Sequence, residues 1–229
     1  LMTNRLFKSL ENEEFFLEFQ PQISCNTGKT SGIEALLRWT SDGTRRVPPD
    51  KFIPILEQTG LIYDVGLWVL EQTLQEHNRL IAKGLPPLRV SVNLSVVQFQ
   101  EEEFISDVRK IIEESGVDPK YIELEITESL FSKDPEDVMK KLHQLKGLGV
   151  SIAIDDFGKG YSSLNRLKRV PFDRLKIDKE IIDYIDAERE KAPITEIVIQ
   201  LGKAFRAAIT AEGVETKGQA DFLRNAACD

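Results

Sequence analysis

Histidine and cysteine are nearly absent from this chain: there are two of each in 229 residues. Cys25 and Cys228 are too few for a disulfide framework, which fits a reducing compartment and ordinary unpaired thiols. His77 and His143 both fall in helical patterns, LEQTLQEHNRL and VMKKLHQLKGLG, where a surface or flank position is expected. Catalytic triads built on histidine, and zinc sites with several histidines, are thereby excluded. Long hydrophobic runs are also missing. No stretch approaches the ~18–20 apolar residues of a membrane span, and Leu1-Met2-Thr3 opens no targeting segment. A cytoplasmic domain is expected, with membrane anchoring of the intact protein left open. Basic excess is missing too. Thirty Lys+Arg face 38 Asp+Glu, a net charge of −8, and no Lys/Arg block stands out. Bulk nucleic-acid binding needs clustered cations and is not expected. Any hydrolytic chemistry must therefore come from carboxylates, amides and lysine.

What remains is a regular alternation. Strands are expected at 15–23, 32–39, 88–95, 121–129, 150–157, 173–178 and 207–215. Helices are expected at 52–58, 65–82, 101–115, 135–148, 179–186 and 194–205. Gly60, Gly84, Gly116 and Gly149 mark helix stops, and Asp134-Pro135-Glu136 reads as a helix start. Strand–helix alternation points to a parallel sheet with crossover helices, and seven strands in this length favour a (β/α) barrel in a single domain, 1–229. Only the turn Cys25-Asn26-Thr27-Gly28 joins the first two strands, so an antiparallel start and an irregular barrel are expected.

Residues two apart in a strand share a face. In LRVSVNLS, Ser91, Asn93 and Ser95 oppose Val90, Val92 and Leu94. In YIELEITES, Glu123 and Glu125 oppose Ile122 and Leu124. In DRLKID, Lys176 and Asp178 share a face, and in GIEALLRW so do Glu34 and Arg38. Polar groups thus gather near the carboxyl ends of six strands: Glu34, Asn93, Glu125, Asp155, Asp156, Lys176 and Glu212. That is the end where barrel enzymes place their active sites. So many carboxylates cannot share a mouth without compensation. Oxygen donors with one amide suit hard divalent cations, magnesium or manganese.

Ordered blocks along the chain sharpen this reading. Glu34-Ala35-Leu36 continues into Leu37-Arg38-Trp39. It is preceded by Gln20-Pro21 and followed by VPPDKFIPILEQTGLI at 47–62, NLS at 93–95 and ELEITES at 123–129. Then come DDFGKGYSSL from Asp155, LKID at 175–178 and AEGVE at 211–215. The whole set resembles the EAL family of cyclic-di-GMP phosphodiesterases. The resemblance implies a modified TIM-like barrel and hydrolysis of cyclic di-GMP to linear pGpG with two divalent cations, Mg2+ or Mn2+. It implies metal ligands at Glu34, Asn93, Glu125, Asp155, Asp156 and Glu212, with Glu34, Lys176 and Glu212 as the catalytic group. Either Lys176 or Glu212 would serve as the base. Gln20, Arg38 and Asp178 would lie on the substrate side, with Arg38 toward a phosphate; a rim salt bridge is the rival role for Arg38, and a strand-neighbour contact for Gln20.

Glu128 would anchor the loop that runs from Asp155-Asp156 through Gly158 and Gly160, and Glu215 would support the site. Homodimerisation through 157–164 and attachment to sensory or cyclase domains follow from the same resemblance. Three positions depart from it. Lys159 stands where threonine is usual, Thr210 where valine is usual, and Ala227 where glycine is usual, the last two being read as tolerable. The chain stops at Cys228-Asp229, where relatives continue into a further strand. A non-catalytic receptor for the dinucleotide, or a signalling interaction domain, is the rival reading. Such relatives lose the first Glu, the paired Asp or the Lys, and all three are kept here.

Overall fold

The computed structural model describes residues 2–41, 43–132, 135–159, 167–185 and 192–229. Two compact units emerge, one from 1–22 with 32–122 and one from 23–31 with 123–229.

The first unit opens with α1 (Met2–Ser9) and carries β1 (Phe15–Ile23), β2 (Thr30–Ser41), β3 (Arg45–Val47), α2 (Pro49–Thr59), α3 (Ile62–Ala82), β4 (Arg89–Asn93) and α4 (Phe104–Ser115). Strand β1 lies beside β2, which pairs antiparallel with β3 and parallel with β4, with Glu34 opposite Ser91. Phe15, Trp39 and Phe52 form one buried aromatic cluster, with ring centroids 5.7–6.4 Å apart. Such packing gains on the order of 1 kcal/mol per ring pair beyond area burial. The Trp39 indole N–H donates to Ser9 Oγ at 3.0 Å, so its polar atom is satisfied inside the cluster and ties β2 to α1. Helices α3 and α4 are cross-linked by the Tyr63 hydroxyl, which donates to Asp107 at 2.6 Å.

The second unit holds β5 (Ile122–Thr127), α5 (Pro135–Gly147), β6 (Ser151–Phe157), β7 (Arg174–Ile177), α6 (Lys179–Ile182), α7 (Pro193–Ala204), β8 (Ala208–Ala211) and α8 (Lys217–Asn225). Its four strands are parallel in chain order, and their apolar face is fully buried at Leu124, Ile126, Ile152, Ile154, Leu175 and Ile177. Strands buried this way read as near-continuous aliphatic runs. The β1–β2 turn belongs to this unit. Ser24 N–H donates to Lys29 C=O at 2.9 Å and closes the turn, while Cys25 N–H and C=O bond Asp229 and Arg224.

Every expected strand is present, and the start is antiparallel. Elements α1, β3 and α8 were not foreseen. For α8 a signal existed: Thr216 and Gln219 form a reciprocal capping box, with Oγ1 accepting from Gln219 N–H and the Gln219 side chain from Thr216 N–H, both at 3.1 Å. Helix α6 ends at Ile182, short of the expected 186, which lies outside the described residues, as does Asp134. Ala227 adopts φ +59°, a left-handed conformation that glycine takes freely and alanine does not. The substitution is therefore strained rather than neutral. No helix among the described residues is long and apolar enough to cross a membrane.

His77 corrects an expectation. It is buried, 3% exposed, on the inner face of α3 with its ring 5.7 Å from that of Tyr121. The stripe Val69, Leu70, Thr73, Leu74 carries it into the core at helical spacing. Burial disfavours the imidazolium and lowers its pKa below the usual histidine value, against weaker opposing contributions from Leu88 and Asn78. With the folded value depressed, the unfolded chain binds the proton first as pH falls. The wild-type melting temperature should therefore drop between about pH 7 and pH 5 more steeply than that of His77→Phe. Thermal scans across that range check this; parallel slopes would contradict it.

Candidate active site

In the first unit, the candidate residues lie on β1, β2 and β4. Asn93 Nδ2 donates to Glu34 Oε1 at 2.8 Å, so the amide and the carboxylate meet directly. Glu34 is 9% exposed. Arg38, four residues on, donates through Nε to Glu18 Oε2 at 2.7 Å, and Arg46 engages the other Glu18 oxygen at 2.8 Å. The Arg38 hydrogen bond, aided by Arg46, holds the Glu18 carboxyl below its ordinary range. Arg38 thus occupies a rim salt bridge here, with Glu18 as a partner that strand alternation did not single out. Gln20 is exposed on β1.

In the second unit, the carboxyl ends of four parallel strands present Glu125, Asp155, Asp156, Lys176 and Glu212. Lys176 is 1% exposed and sits within ion-pair distance of Glu125 (2.5 Å), Glu212 (2.8 Å) and Asp155 (3.1 Å). A buried ammonium is sustained only by such partners. One carboxylate oxygen each from Asp155, Asp156 and Glu212 lies within 4.8 Å of the others, an arrangement that could hold a metal ion.

Strict alternation would turn the side chains of Asp155 and Asp156 to opposite faces. The pairing of β6 with β7 instead shifts register between Ile154 and Phe157, and Asp156 takes φ +53°. Aspartate tolerates the left-handed region better than most residues. The irregularity re-aims consecutive side chains, as β-bulges do beside functional sites. Asp156 N–H donates to Asp155 Oδ1 at 2.9 Å and fixes the pair. Gly158 completes the turn at φ +106°, where an added Cβ would lie 2.1 Å from Ile181 Cδ1. Gly213, after Glu212, meets a similar limit at Lys179.

Asp178 caps α6, accepting from Glu180 N–H at 2.8 Å, and is 4% exposed. It also receives the ammonium of Lys159 at 2.8 Å, while Lys159 reaches Asp156 at 2.7 Å. Burial alone would raise the Asp178 pKa, but Lys159 and the Glu180 amide outweigh it and hold the carboxyl below its ordinary value. Lys159 itself is held strongly protonated by the hydrogen bonds it donates to Asp156 and Asp178. Glu215 is exposed and pairs with Lys179. Glu128 opens a short helical turn after β5, and its Oε1 is buried with no hydrogen-bond partner among the described residues. Gly160 and the other residues of 160–166 lie outside the described residues. Glu123, on the same face as Glu125, is neutralised by Arg174 at 3.0 Å and is a structural pair.

The EAL domain family matches residues 3–229. The bifunctional diguanylate cyclase/cyclic di-GMP phosphodiesterase MucR of Pseudomonas aeruginosa is 37% identical over 224 residues, 98% of this chain and 33% of that protein. The cyclic di-GMP phosphodiesterase NbdA of the same organism is 34% identical over the full chain, which covers 29% of it. This chain thus spans about a third of the length of these curated relatives. A solved structure described as PaMucR phosphodiesterase in complex with c-di-GMP superposes with a TM-score of 0.92 at 36% identity, covering 100% of this chain and 92% of that one. The fold is accordingly the α/β, modified TIM-like barrel with an antiparallel first strand. The chain belongs to the EAL domain family.

Gly158 gives a direct test of the turn that places the paired aspartates. Gly158→Ala should lower stability by about 1–3 kcal/mol, the cost of a sparsely populated backbone conformation. Ile181→Ala removes a buried side chain and costs about 2–5 kcal/mol by itself, so the clash is read as coupling: Gly158→Ala should cost less in the Ile181→Ala background than in the wild type. Urea midpoints report both; an unchanged midpoint for Gly158→Ala alone would refute the geometry.

Proposed function

We propose that the chain is a metal-dependent phosphodiesterase domain, 1–229, that hydrolyses cyclic di-GMP to linear pGpG. The observation that carries this reading is the cluster of Asp155, Asp156 and Glu212 oxygens beside the buried Lys176. Its donor set is carboxylate oxygen, which fits Mg2+ or Mn2+ rather than zinc. Relatives named as cyclic di-GMP phosphodiesterases, and one related structure holding c-di-GMP, support the substrate.

In this reading Asp155, Asp156, Glu125 and Glu212 supply carboxylate ligands, and Glu34 and Asn93 keep the ligand roles that the family resemblance implies. A bound pair of divalent ions would supply Lewis-acid stabilisation of the phosphoryl oxygens and a more acidic water. The protein's own work is to gather the carboxylates, exclude competing cations and orient the water. Lys176, pinned by three carboxylates, is either fixed in place as a positive charge beside the reacting phosphate or, having first released its own proton to solvent, accepts the water's proton as a neutral amine. Glu212, at 30% exposure, is the second group able to accept that proton. Arg38 reaches substrate phosphate by exchanging Glu18 for it, and Gln20 and Asp178 lie on the substrate side. Glu128 and Glu215 support the loops that follow β5 and β8. Homodimerisation through 157–164, and attachment to further sensory or cyclase domains, belong to the same proposal.

Chromatography of reactions containing cyclic di-GMP should show pGpG appearing with Mg2+ or Mn2+ and stopping on chelation. Asp155→Asn and Glu34→Ala should each cut turnover by about two orders of magnitude or more while leaving the fold intact by circular dichroism. Hydrolysis that survives chelation would contradict the proposal. Tight dinucleotide binding without any hydrolysis would favour the receptor reading instead.

A further inference from the structure

Lys159 and Lys176 are both held by carboxylates of the second unit, but in different ways. Lys176 is locked among Glu125, Asp155 and Glu212 and is 1% exposed. Lys159 is the accessible partner: its side chain is 46% exposed, on a turn, and it reaches inward to two acids. Its ammonium lies 2.7 Å from Asp156 Oδ1 and 2.8 Å from Asp178 Oδ2. Its backbone N–H also donates to Asp156 C=O at 3.3 Å, so the residue that presents the charge is tethered to the aspartate it neutralises. Asp156 is at the same time one of the three carboxylates able to converge on a metal ion.

We propose that Lys159 is an internal competitor for the divalent cation at Asp156. This inference rests on the metal-dependent reading above and goes beyond it. A divalent ion approaching Asp156 meets a carboxylate already shared with an ammonium, and meets that ammonium's like charge. Binding must therefore expel Lys159 or proceed against it. Tethering gives the ammonium a high effective concentration at the site. The consequence is a weakened affinity for the ion bound through Asp156, with little effect on ligands distant from it. Expulsion of Lys159 also removes one partner of Asp178, the N-cap of α6, so occupancy of this position is linked to the start of that helix. Threonine, which the family resemblance leads one to expect at this position, offers no such charge.

Titration calorimetry with Mn2+ alone tests the inference without any turnover. Wild type should bind Mn2+ in a stronger and a weaker class. In Lys159→Thr and Lys159→Met the weaker class should tighten by about tenfold or more, as expected for removal of a close like charge. The stronger class should stay in place, and Lys159→Arg should bind like wild type because it retains the charge. Asp155→Asn separates the two levels of the argument. If wild type binds no Mn2+, or binds it identically after Asp155→Asn, the metal site itself is wrong and the inference falls with it. If binding depends on Asp155 but is the same in wild type and both neutral variants, the metal site stands and the role of Lys159 is refuted.

Discussion

Carboxylates gathered at one strand end repel one another, and each loses hydration as its neighbours close in. The second unit places Glu125, Asp155, Asp156, Asp178 and Glu212 together only because two lysines are distributed among them. Lys176 joins Glu125, Asp155 and Glu212, and Lys159 joins Asp156 and Asp178. The buried member of the pair meets three carboxylates, the partners that a desolvated ammonium requires. Lys176 therefore ties together acids from strands other than its own, while Lys159 ties Asp156 of the preceding strand to Asp178 after β7. Divalent cations extend the same principle, since they bind oxygen donors that an ammonium can only partly neutralise.

Backbone irregularity supplies what charge balance does not. A regular β6 would send Asp155 and Asp156 to opposite faces. The register shift, the positive φ of Asp156 and the glycine at 158 together bring the pair to one side. Strain of this kind persists where the surrounding structure over-determines it. Here Ile181 fills the space beside Gly158, and Asp178 caps the helix that carries Ile181. The turn, the cap and the second lysine thus form one connected support for the aspartate pair.

Much of this was legible in the sequence because the second unit is built from short parallel strands whose aliphatic faces are uninterrupted. LKID and ELEIT declare both their strand and their polar face, and β1 matches its expected bounds at Phe15–Ile23. The bulge was not legible, since a period of two has no term for an inserted residue; Gly158 was the single hint. Ion-pair partners were equally hidden. Glu18 against Arg38, Arg174 against Glu123 and Lys159 against Asp178 join residues 19 to 51 positions apart, and no local pattern names them. Histidine at a core position was missed for a simpler reason. His77 was judged by its polarity, whereas its spacing from Leu70 and Leu74 placed it on the buried stripe of α3.

The central claim is that the acids at the ends of β5, β6 and β8 hold divalent cations. Anomalous diffraction at the manganese edge, from crystals grown with Mn2+, tests it most directly. The account predicts a pair of anomalous peaks ligated by Asp155, with Asp156 and Glu212 among their oxygen donors. Ordered manganese elsewhere on the protein, with no peak at Asp155, would contradict it.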